Sequence, residues 1–251
     1  MKILVCISNV PDTTTKIKLS GDQNNVDMNG VQWVINPWDE LALTRALELK
    51  EKSGGIIEKI TVITVGDKMV EPTLRKALAV GADDAVRIDS MPSDDFQVAA
   101  QIATHVKSKS YDLILAGIES SDYNGSAVGG MLSEFLEVPS VSSVSNIDLD
   151  GEQLTMKRAI DGGSETLKVT VPVVAIVQKG IALDPRIPAM RGIMMARKKP
   201  LVVEPETTAE LNSEFKSFEL PAAKPPVKMI DAENVGELFR LLHEEAKVLY
   251  T

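Results

Sequence analysis

The amino-acid sequence predicts an α/β fold built on a doubly wound, mainly parallel sheet. Short apolar runs alternate with helix-like segments over residues 1–140, which is typical of parallel strands joined by helices. The hydrophobic fraction of 44% and the charged fraction of 25% match an ordinary globular chain. In such sheets, ligands bind beyond the carboxyl ends of the strands, and we therefore expect a site at that edge.

The first part of the chain supplies the parallel strands and their helices. The predicted strands are residues 3–7, 59–65, 85–88 and 113–116, and the predicted helices are residues 37–53, 70–80 and 96–108. Asn36 predicts an N-cap for the first helix, and Asp39 stands where the acid of a capping box would help. Gly81 is typical of the glycine that ends a helix.

From Ser140 the pattern changes to the alternation of antiparallel strands. The turn DLDGEQ within residues 140–160 predicts a β-hairpin, and residues 165–178 form a further β stretch. Residues 179–200 are rich in Gly, Pro, Met and Arg without a clear period, which predicts a loop.

The C-terminal part reads as an extended arm, because residues 205–230 contain four prolines and little apolar patterning. An amphipathic helix follows, whose apolar face carries Val235, Leu238, Phe239, Leu242, Ala246 and Leu249. The pattern leaves two alternatives open: packing on another subunit, or folding back on its own domain. We divide the chain into a domain of residues 1–204 and an arm of residues 205–251.

Charge and composition narrow the classes of partner. A net charge of −9 argues against nucleic acid or an anionic membrane as the main partner. No apolar run approaches the ~20 residues of a membrane span, and the N-terminal apolar stretch is too short for a signal peptide. A single cysteine excludes an internal disulfide and favours a cytoplasmic location. One cysteine and two histidines disfavour a structural zinc site, and no arrangement of side chains indicates catalysis.

A connection rich in glycine and serine, AGIESSDYNGSAVGG (residues 116–130), follows a predicted strand and precedes a helix-like segment at residues 131–136. Backbone amides in such a turn and at the following helix N-terminus form a natural anion site. The segment lacks the lysine of a P-loop and does not match G-x-G-x-x-G. The residues alone leave open whether it binds phosphate or is only a structural turn.

Two further side chains, Cys6 and Trp38, are candidates for a site, whereas the two histidines are not. Cys6 is predicted to be a small, buried, inert residue that leaves room for a flat ring. Trp38, at a helix start, is more typical of a core residue, although it could pack against a ring system. His105 and His243 are predicted to be solvated surface residues.

Several longer motifs resemble one known family. Residues 157–174 (KRAIDGGSETLKVTVPVV), followed by residues 184–200 (DPRIPAMRGIMMARKKP), resemble the signature region of the electron-transfer flavoprotein beta subunit. Residues 36–52 (NPWDELALTRALELKEK) and 73–88 (TLRKALAVGADDAVRI) resemble the same family. The resemblance covers about residues 1–203.

The resemblance implies a Rossmann-like, adenine-nucleotide-binding domain paired with an alpha subunit that holds the redox FAD. The beta subunit then carries a structural AMP, and the pair moves electrons from flavin-dependent dehydrogenases to an acceptor such as a membrane quinone oxidoreductase. A second branch of the family binds FAD in place of AMP and bifurcates electrons from NADH, which would make the protein an NADH-dependent oxidoreductase. A stand-alone adenine-nucleotide sensor is a third alternative, against which the arm and the signature region argue.

The resemblance also implies site residues. The nucleotide contacts carried over are Cys6, Asn36, Pro37, Trp38, Asp39, Val65, Gly117, Asp122, Tyr123, Asn124, Gly125, Ser126, Ala127, Val128 and Gly129. The dehydrogenase-docking loop maps to about residues 180–190, and the docking residues are Ala182, Leu183, Arg186 and Met190. Relatives use an exposed leucine as the anchor; gapless alignment places it on Ala182, with Leu183 beside it.

The loop at residues 122–129 departs from both branches of the family. Single-flavin members commonly show DDDxNQTG and bifurcating members something close to DGDTAQVG, whereas this chain has DYNGSAVG. Val128 matches the bifurcating form and lacks the hydroxyl of a threonine, which Ser126 could supply instead. AMP is favoured over a second FAD by family frequency alone.

Overall fold

The computed structural model describes residues 1–21, 25–91, 93–151, 153–224 and 226–249. Its strands are β1 (Lys2–Cys6), β2 (Asn9–Pro11), β3 (Trp33–Ile35), β4 (Lys59–Val65), β5 (Asp84–Asp89), β6 (Leu113–Gly117), β7 (Ser140–Asp150), β8 (Gln153–Ile160), β9 (Gly163–Val169), β10 (Val173–Val177) and β11 (Leu201–Pro205). Its helices are α1 (Pro37–Lys52), α2 (Glu71–Val80), α3 (Asp95–Lys107), α4 (Val128–Leu136), α5 (Met190–Ala196) and α6 (Val235–Arg240). The chain forms two compact units: a large one of Met1–Ile17 with Asp27–Lys216, and a small one of Lys18–Val26 with Ser217–Thr251.

The sheet of the large unit has the strand order β11-β5-β4-β1-β6-β10-β7-β8-β9. The strands from β11 to β7 pair in parallel, and β8 and β9 continue the sheet as an antiparallel meander. The chain runs from β1 to β4 and β5 on one side, then returns to β6 on the other side of β1. The predicted fold class is confirmed, and the strand order reverses between β1 and β6, where ligands bind in folds of this kind.

Helices cover both faces of the parallel strands. Ile3 and Val5 of β1 are buried in one cluster with side chains of α1 and α2, whereas Leu4 and Cys6 are buried in another with side chains of α3 and α4. Successive residues of a strand point to opposite faces, so a wholly apolar strand requires cover on both sides. This explains why β1 and β4 are buried along almost their whole length.

The prediction of a loop over residues 179–200 was wrong for residues 190–196, which form α5. This short helix packs on α2, and Gly192 approaches so closely that a Cβ there would collide with the carbonyl oxygen of Ala79. The guanidinium of Arg75 donates to the carbonyl oxygens of Ala196 (2.9 Å) and Lys199 (2.8 Å) at the end of α5. A seven-residue helix is unstable alone, so these contacts decide its formation.

The small unit departs from the predicted continuous amphipathic helix. Helix α6 ends at Arg240, and Leu241–Glu245 form a π-helical turn. Val235 and Phe239 of the predicted apolar face are 67% and 59% exposed, whereas Leu241, outside that face, is buried. Across the described ranges, each helix is too short or too polar to cross a membrane.

Candidate functional site

A cavity of about 910 Å³ opens beyond the carboxyl ends of β1, β4 and β6. This volume lies within the range of small-molecule sites, and the position is the reversal point of the strand order. Most of the predicted nucleotide-contacting residues line it: Cys6, Asp39, Val65, Gly117, Asp122, Tyr123, Gly125, Ser126, Ala127 and Val128. Since these residues come from distant parts of the sequence, the sheet topology is what brings them together.

The floor of the cavity consists of the lining residues Asp39 and Gly117 together with Asn36, which packs against Gly117 outside the lining, and it is held by a buried carboxylate. The Oδ2 atom of Asp39 accepts a hydrogen bond from the backbone N–H of Ser8 (2.8 Å), and its Oδ1 atom accepts one from Gly117 (2.9 Å). Asp39 is only 2% exposed. It therefore ties the chain after β1 to the end of β6 instead of forming the predicted capping box.

The electrostatics of the floor follow from burial. Burial raises the pKa of Asp39 to about 6, although the hydrogen bonds from Ser8 and Gly117 act in the opposite direction. Burial, assisted by the charge of Asp39, raises the pKa of the Cys6 thiol far above its ordinary range. The thiol therefore stays protonated, and the prediction of a small buried cysteine at this strand end is confirmed.

Asn36 holds the glycine-rich loop rather than the helix that it precedes. The predicted side-chain cap is wrong: the Asn36 side chain makes no capping hydrogen bond to α1. Its Nδ2 atom donates to the carbonyl oxygen of Glu119 (2.8 Å), and its Oδ1 atom accepts from the N–H of Ser121 (3.2 Å). Asn36 is 1% exposed, and buried backbone groups of the loop require such partners.

The loop between β6 and α4 presents backbone groups to the cavity. Asn124 and Ser126 have φ angles of +53° and +54°, the left-handed conformation of a tightly turning chain. Helix α4 begins at Val128, earlier than predicted, and its N-cap residue Ala127 has no side chain that can bind the first amides. An added Cβ at Gly125 would collide with the carboxylate of Asp95. The loop thus leads to a helix N-terminus that no side chain caps, where the positive end of the helix dipole favours an anion.

Side-chain charges in the cavity are all acidic among the described lining residues. The carboxylates are those of Asp39, Asp94, Asp95, Glu119, Asp122 and Glu214. Burial, and then the neighbouring charges of Asp94 and Asp122, raise the pKa of Asp95. Backbone amides must therefore supply the attraction for an anion, and a ligand carrying many negative charges is disfavoured.

The remaining predicted contacts lie outside the cavity lining, namely Asn36, Pro37, Trp38, Asn124 and Gly129. Trp38 is half-buried and its Cβ would lie 2.9 Å from a Cβ added at Gly117. Gly129 faces Ile176, whose Cγ1 atom would lie 2.7 Å from an added Cβ. Gly129 thus allows α4 to pack on β10.

The lining residues that sequence reasoning missed include residues 8–10, residues 93–96 and residues 211–215. Residues 8–10 directly follow β1, so the rule that ligands bind at the strand ends could have found them. Asp94 caps α3 by accepting the N–H of Gln97, a signal that indicates a helix start but no ligand. Residues 211–215 carry no local signal for a binding site.

His105 is buried, which corrects the prediction of a solvated residue. Only 4% of it is exposed, and its Nδ1 atom lies 2.8 Å from a carboxylate oxygen of Glu204. Its Nε2 atom lies 3.1 Å from the hydroxyl of Tyr111. Glu204 belongs to strand β11, which the sequence did not predict. The burial of His105 therefore depends on a strand about 100 residues further along the chain. His243 is exposed.

The predicted docking segment shows a clear contrast between neighbours. Ala182 is 7% exposed, whereas Leu183 is 96% exposed. Arg186 pairs with both carboxylate oxygens of Glu51 at 2.6 Å, and Met190 is 75% exposed. The exposed apolar side chains of this segment are Leu183, Ile187 and Met190, and α5 continues the surface with Ile193, Met194 and Met195.

Comparisons with known proteins agree on one family. The model of the electron transfer flavoprotein domain matches residues 23–209. An electron transfer flavoprotein subunit beta of Bacillus subtilis is 34% identical over 99% of this chain and 100% of its own length. The subunit beta of Syntrophomonas wolfei is 34% identical over 89% of this chain and 87% of its own length, and that of Homo sapiens is 29% identical over 99% of both.

Proposed function

The chain belongs to the electron transfer flavoprotein beta subunits, and we propose that it holds a structural AMP while an alpha subunit holds the redox FAD. Because the chain belongs to this family, it takes part in electron transport. In the proposed heterodimer it carries electrons from flavin-dependent dehydrogenases to an acceptor such as a quinone oxidoreductase, and it performs no catalysis of its own.

The observation that carries this proposal is the cavity at the reversal point of the sheet. Gly125, Ser126 and Ala127 line it next to the N-terminus of α4, which no side chain caps. A phosphate at this position would accept hydrogen bonds from backbone N–H groups and would lie at the positive end of the helix dipole. The acidic lining favours a phosphate of low total charge, as AMP has.

A second candidate is the bifurcating form, in which FAD occupies the same cavity and accepts a hydride from NADH. Val128 supports this alternative, because it lines the cavity without the hydroxyl that a threonine would offer a phosphate. The hydroxyl of Ser126 lies 3.4 Å from a carboxylate oxygen of Glu119 and supports the AMP form, because it could turn to a phosphate.

We propose Leu183 as the anchor for dehydrogenases. Ala182 is buried and has no surface to offer a partner, whereas almost the whole Leu183 side chain is exposed. Exposed apolar side chains that enter a partner's pocket dominate the affinity of many interfaces. Met190 extends the same apolar surface, and Arg186 fixes the segment to α1 through Glu51.

We also propose that the C-terminal residues of the chain contact the alpha subunit. The small unit leaves large apolar side chains exposed, including Val227 (83%), Met229 (85%), Val235 (67%) and Phe239 (59%). A surface of this kind is typical of a partner interface.

The test is to identify and count the nucleotides released when the heterodimer, purified with its native alpha subunit, is denatured. One FAD and one AMP per heterodimer is the expected result. Two FAD and no AMP would establish the bifurcating alternative. One FAD and no second nucleotide would overturn the proposal of a nucleotide in the beta-subunit cavity.

A further inference from the structure

We propose that the strap (residues 207–216) is the outer wall of the nucleotide cavity, and that Asp94 is the positioning residue that holds it closed. The proposal rests on the proposed function, since it concerns retention of the nucleotide in that cavity. The strap belongs to the same compact unit as the sheet, and residues 211–215 line the cavity.

One face of α3 fixes the chain that leads into the strap. Asp94, Gln101 and His105 are separated by seven and four residues, and such spacings place side chains on the same side of a helix. His105 contacts Glu204 at 2.8 Å, and Gln101 contacts Thr207. The polar side of α3 therefore directs the chain after β11 along the helix toward the cavity.

Gln101 fastens the beginning of the strap. Its Nε2 atom donates to the carbonyl oxygen of Thr207 (2.6 Å), and its Oε1 atom accepts from the N–H (2.8 Å) and the hydroxyl (3.0 Å) of Thr207. Gln101 is only 4% exposed. A buried side chain that satisfies both backbone groups of one residue gives the strap a fixed starting point.

Asp94 holds the middle of the strap with the same carboxylate that caps α3. Its Oδ1 atom accepts the N–H of Gln97 (2.8 Å), and its Oδ2 atom accepts the N–H groups of Asn212 (2.8 Å) and Ser213 (3.0 Å). Burial raises the pKa of Asp94, but these hydrogen bonds outweigh it and lower the pKa. The carboxylate is thus ionised at neutral pH, when it binds the strap most strongly.

The far end of the strap reaches the glycine-rich loop. The ring of Phe215 lies 4.9 Å, centroid to centroid, from that of Tyr123, and both residues line the cavity. Leu211 and Phe215 remain 49% and 60% exposed. The strap therefore closes the cavity between α3 and the loop while its apolar side chains stay partly exposed, and it can open without disturbing the sheet.

The substitution Asp94→Asn keeps the cap of α3 but removes the hydrogen bonds that hold the strap. Asparagine caps helices as well as aspartate does, so Gln97 keeps its acceptor. The amide nitrogen that replaces Oδ2 is a donor and faces the N–H groups of Asn212 and Ser213. We expect the strap to detach while α3 remains folded.

The matched control is Asp95→Asn, which removes the same charge from the adjacent residue, whose carboxylate lies against Gly125 instead of the strap. Loss of a negative charge near a phosphate slows its release. The two substitutions should therefore change the rate of nucleotide release in opposite directions. If Asp94 acted through its charge alone, both substitutions would slow release.

The experiment measures release of radiolabelled AMP from the heterodimer during a chase with unlabelled AMP. We expect Asp94→Asn to accelerate release about tenfold, equivalent to ~1.4 kcal/mol, and Asp95→Asn to slow it. Phe215→Ala, which keeps the Asp94 carboxylate, should also accelerate release. Unchanged or slower release from both Asp94→Asn and Phe215→Ala would overturn the proposal.

Hydrogen exchange of the wild-type heterodimer gives a test without substitutions. AMP should increase the protection of the backbone amides in residues 207–216. Equal exchange with and without AMP would contradict the proposal that the strap closes over the nucleotide. Failure of the proposed function has a different signature, because a heterodimer that binds neither AMP nor FAD in this subunit gives no release to measure. If the denatured heterodimer releases a second FAD in place of AMP, the release experiment uses labelled FAD as the probe.

Discussion

The floor and the strap bound the same cavity but are held by different kinds of interaction. Asn36 and Asp39 of the floor are 1% and 2% exposed, and their hydrogen bonds join segments that the core already fixes. The strap begins at the buried Gln101, but its middle and far end are held by backbone N–H groups on the partly exposed carboxylate of Asp94 and by the Phe215–Tyr123 pair. Buried polar bonds form and break with the whole fold, whereas exposed ones open locally. The comparison indicates that the floor is rigid and that the strap can open separately from it.

The largest effect should come from filling the floor with Gly117→Ala. The added Cβ would collide with Oδ1 of Asp39 and lie 2.9 Å from the Cβ of Trp38. Overpacking and a displaced buried carboxylate together should cost about 4 kcal/mol in the free energy of unfolding. Urea unfolding of the full chain measures this. The control is Gly130→Ala, where no atom lies within 4 Å of the new Cβ; equal destabilisation by both would refute this account of the floor.

The pH dependence of stability tests the buried carboxylate of the floor. The pKa of Asp39 rises from 3.8 to about 6 on folding, so the folded state binds more protons between these values. Its contribution should therefore lower stability as pH rises from about 4 to about 6, by about 3 kcal/mol in total, and stay constant above.

Asp39→Asn should remove this pH dependence, because asparagine does not ionise. Its amide also cannot accept from both Ser8 and Gly117, so the variant should be less stable than the wild type at pH 4. The measurement is the free energy of unfolding in urea from pH 4 to pH 7. A difference between variant and wild type that is the same at every pH would contradict the assignment.

Native-state hydrogen exchange compares the floor and the strap directly. The amides of Ser8 and Gly117 donate to a buried carboxylate and should exchange only with global unfolding. The amides of Asn212 and Ser213 should exchange on the order of 100-fold faster through local opening. Similar protection at the two places would show that strap and floor open together.

The smallest effect on the cavity should come from Leu183→Ala, which lies in the proposed docking segment. Unfolding free energy should change by less than ~0.5 kcal/mol and nucleotide content should stay the same, since the side chain is 96% exposed. Reduction of the heterodimer by its dehydrogenase should slow on the order of tenfold. The control is Met69→Ala, which removes another exposed apolar side chain (66%); an equal loss with both would argue against Leu183 as the anchor.

Much of the fold could be predicted because its signals are local. Strand β4 has the predicted bounds, and the predicted bounds of β1, β5, β6, α1, α2 and α3 differ from the observed ones by at most one residue at each end. Buried strands must be apolar along their length, and amphipathic helices must repeat every 3.6 residues, whatever lies elsewhere in the chain. The glycine-rich loop was found for the same reason, since its composition marks it without reference to partners.

The sequence by itself thus determined the doubly wound sheet, the edge that carries the cavity and the loop that faces it. Only the tertiary structure decided what Asn36 and Asp39 bind, because their partners lie in segments far along the chain. It also decided the burial of His105, the formation of α5 and the position of the strap. Each of these depends on contacts between residues about 100 positions apart, and no local pattern of hydrophobicity or turn residues encodes such contacts.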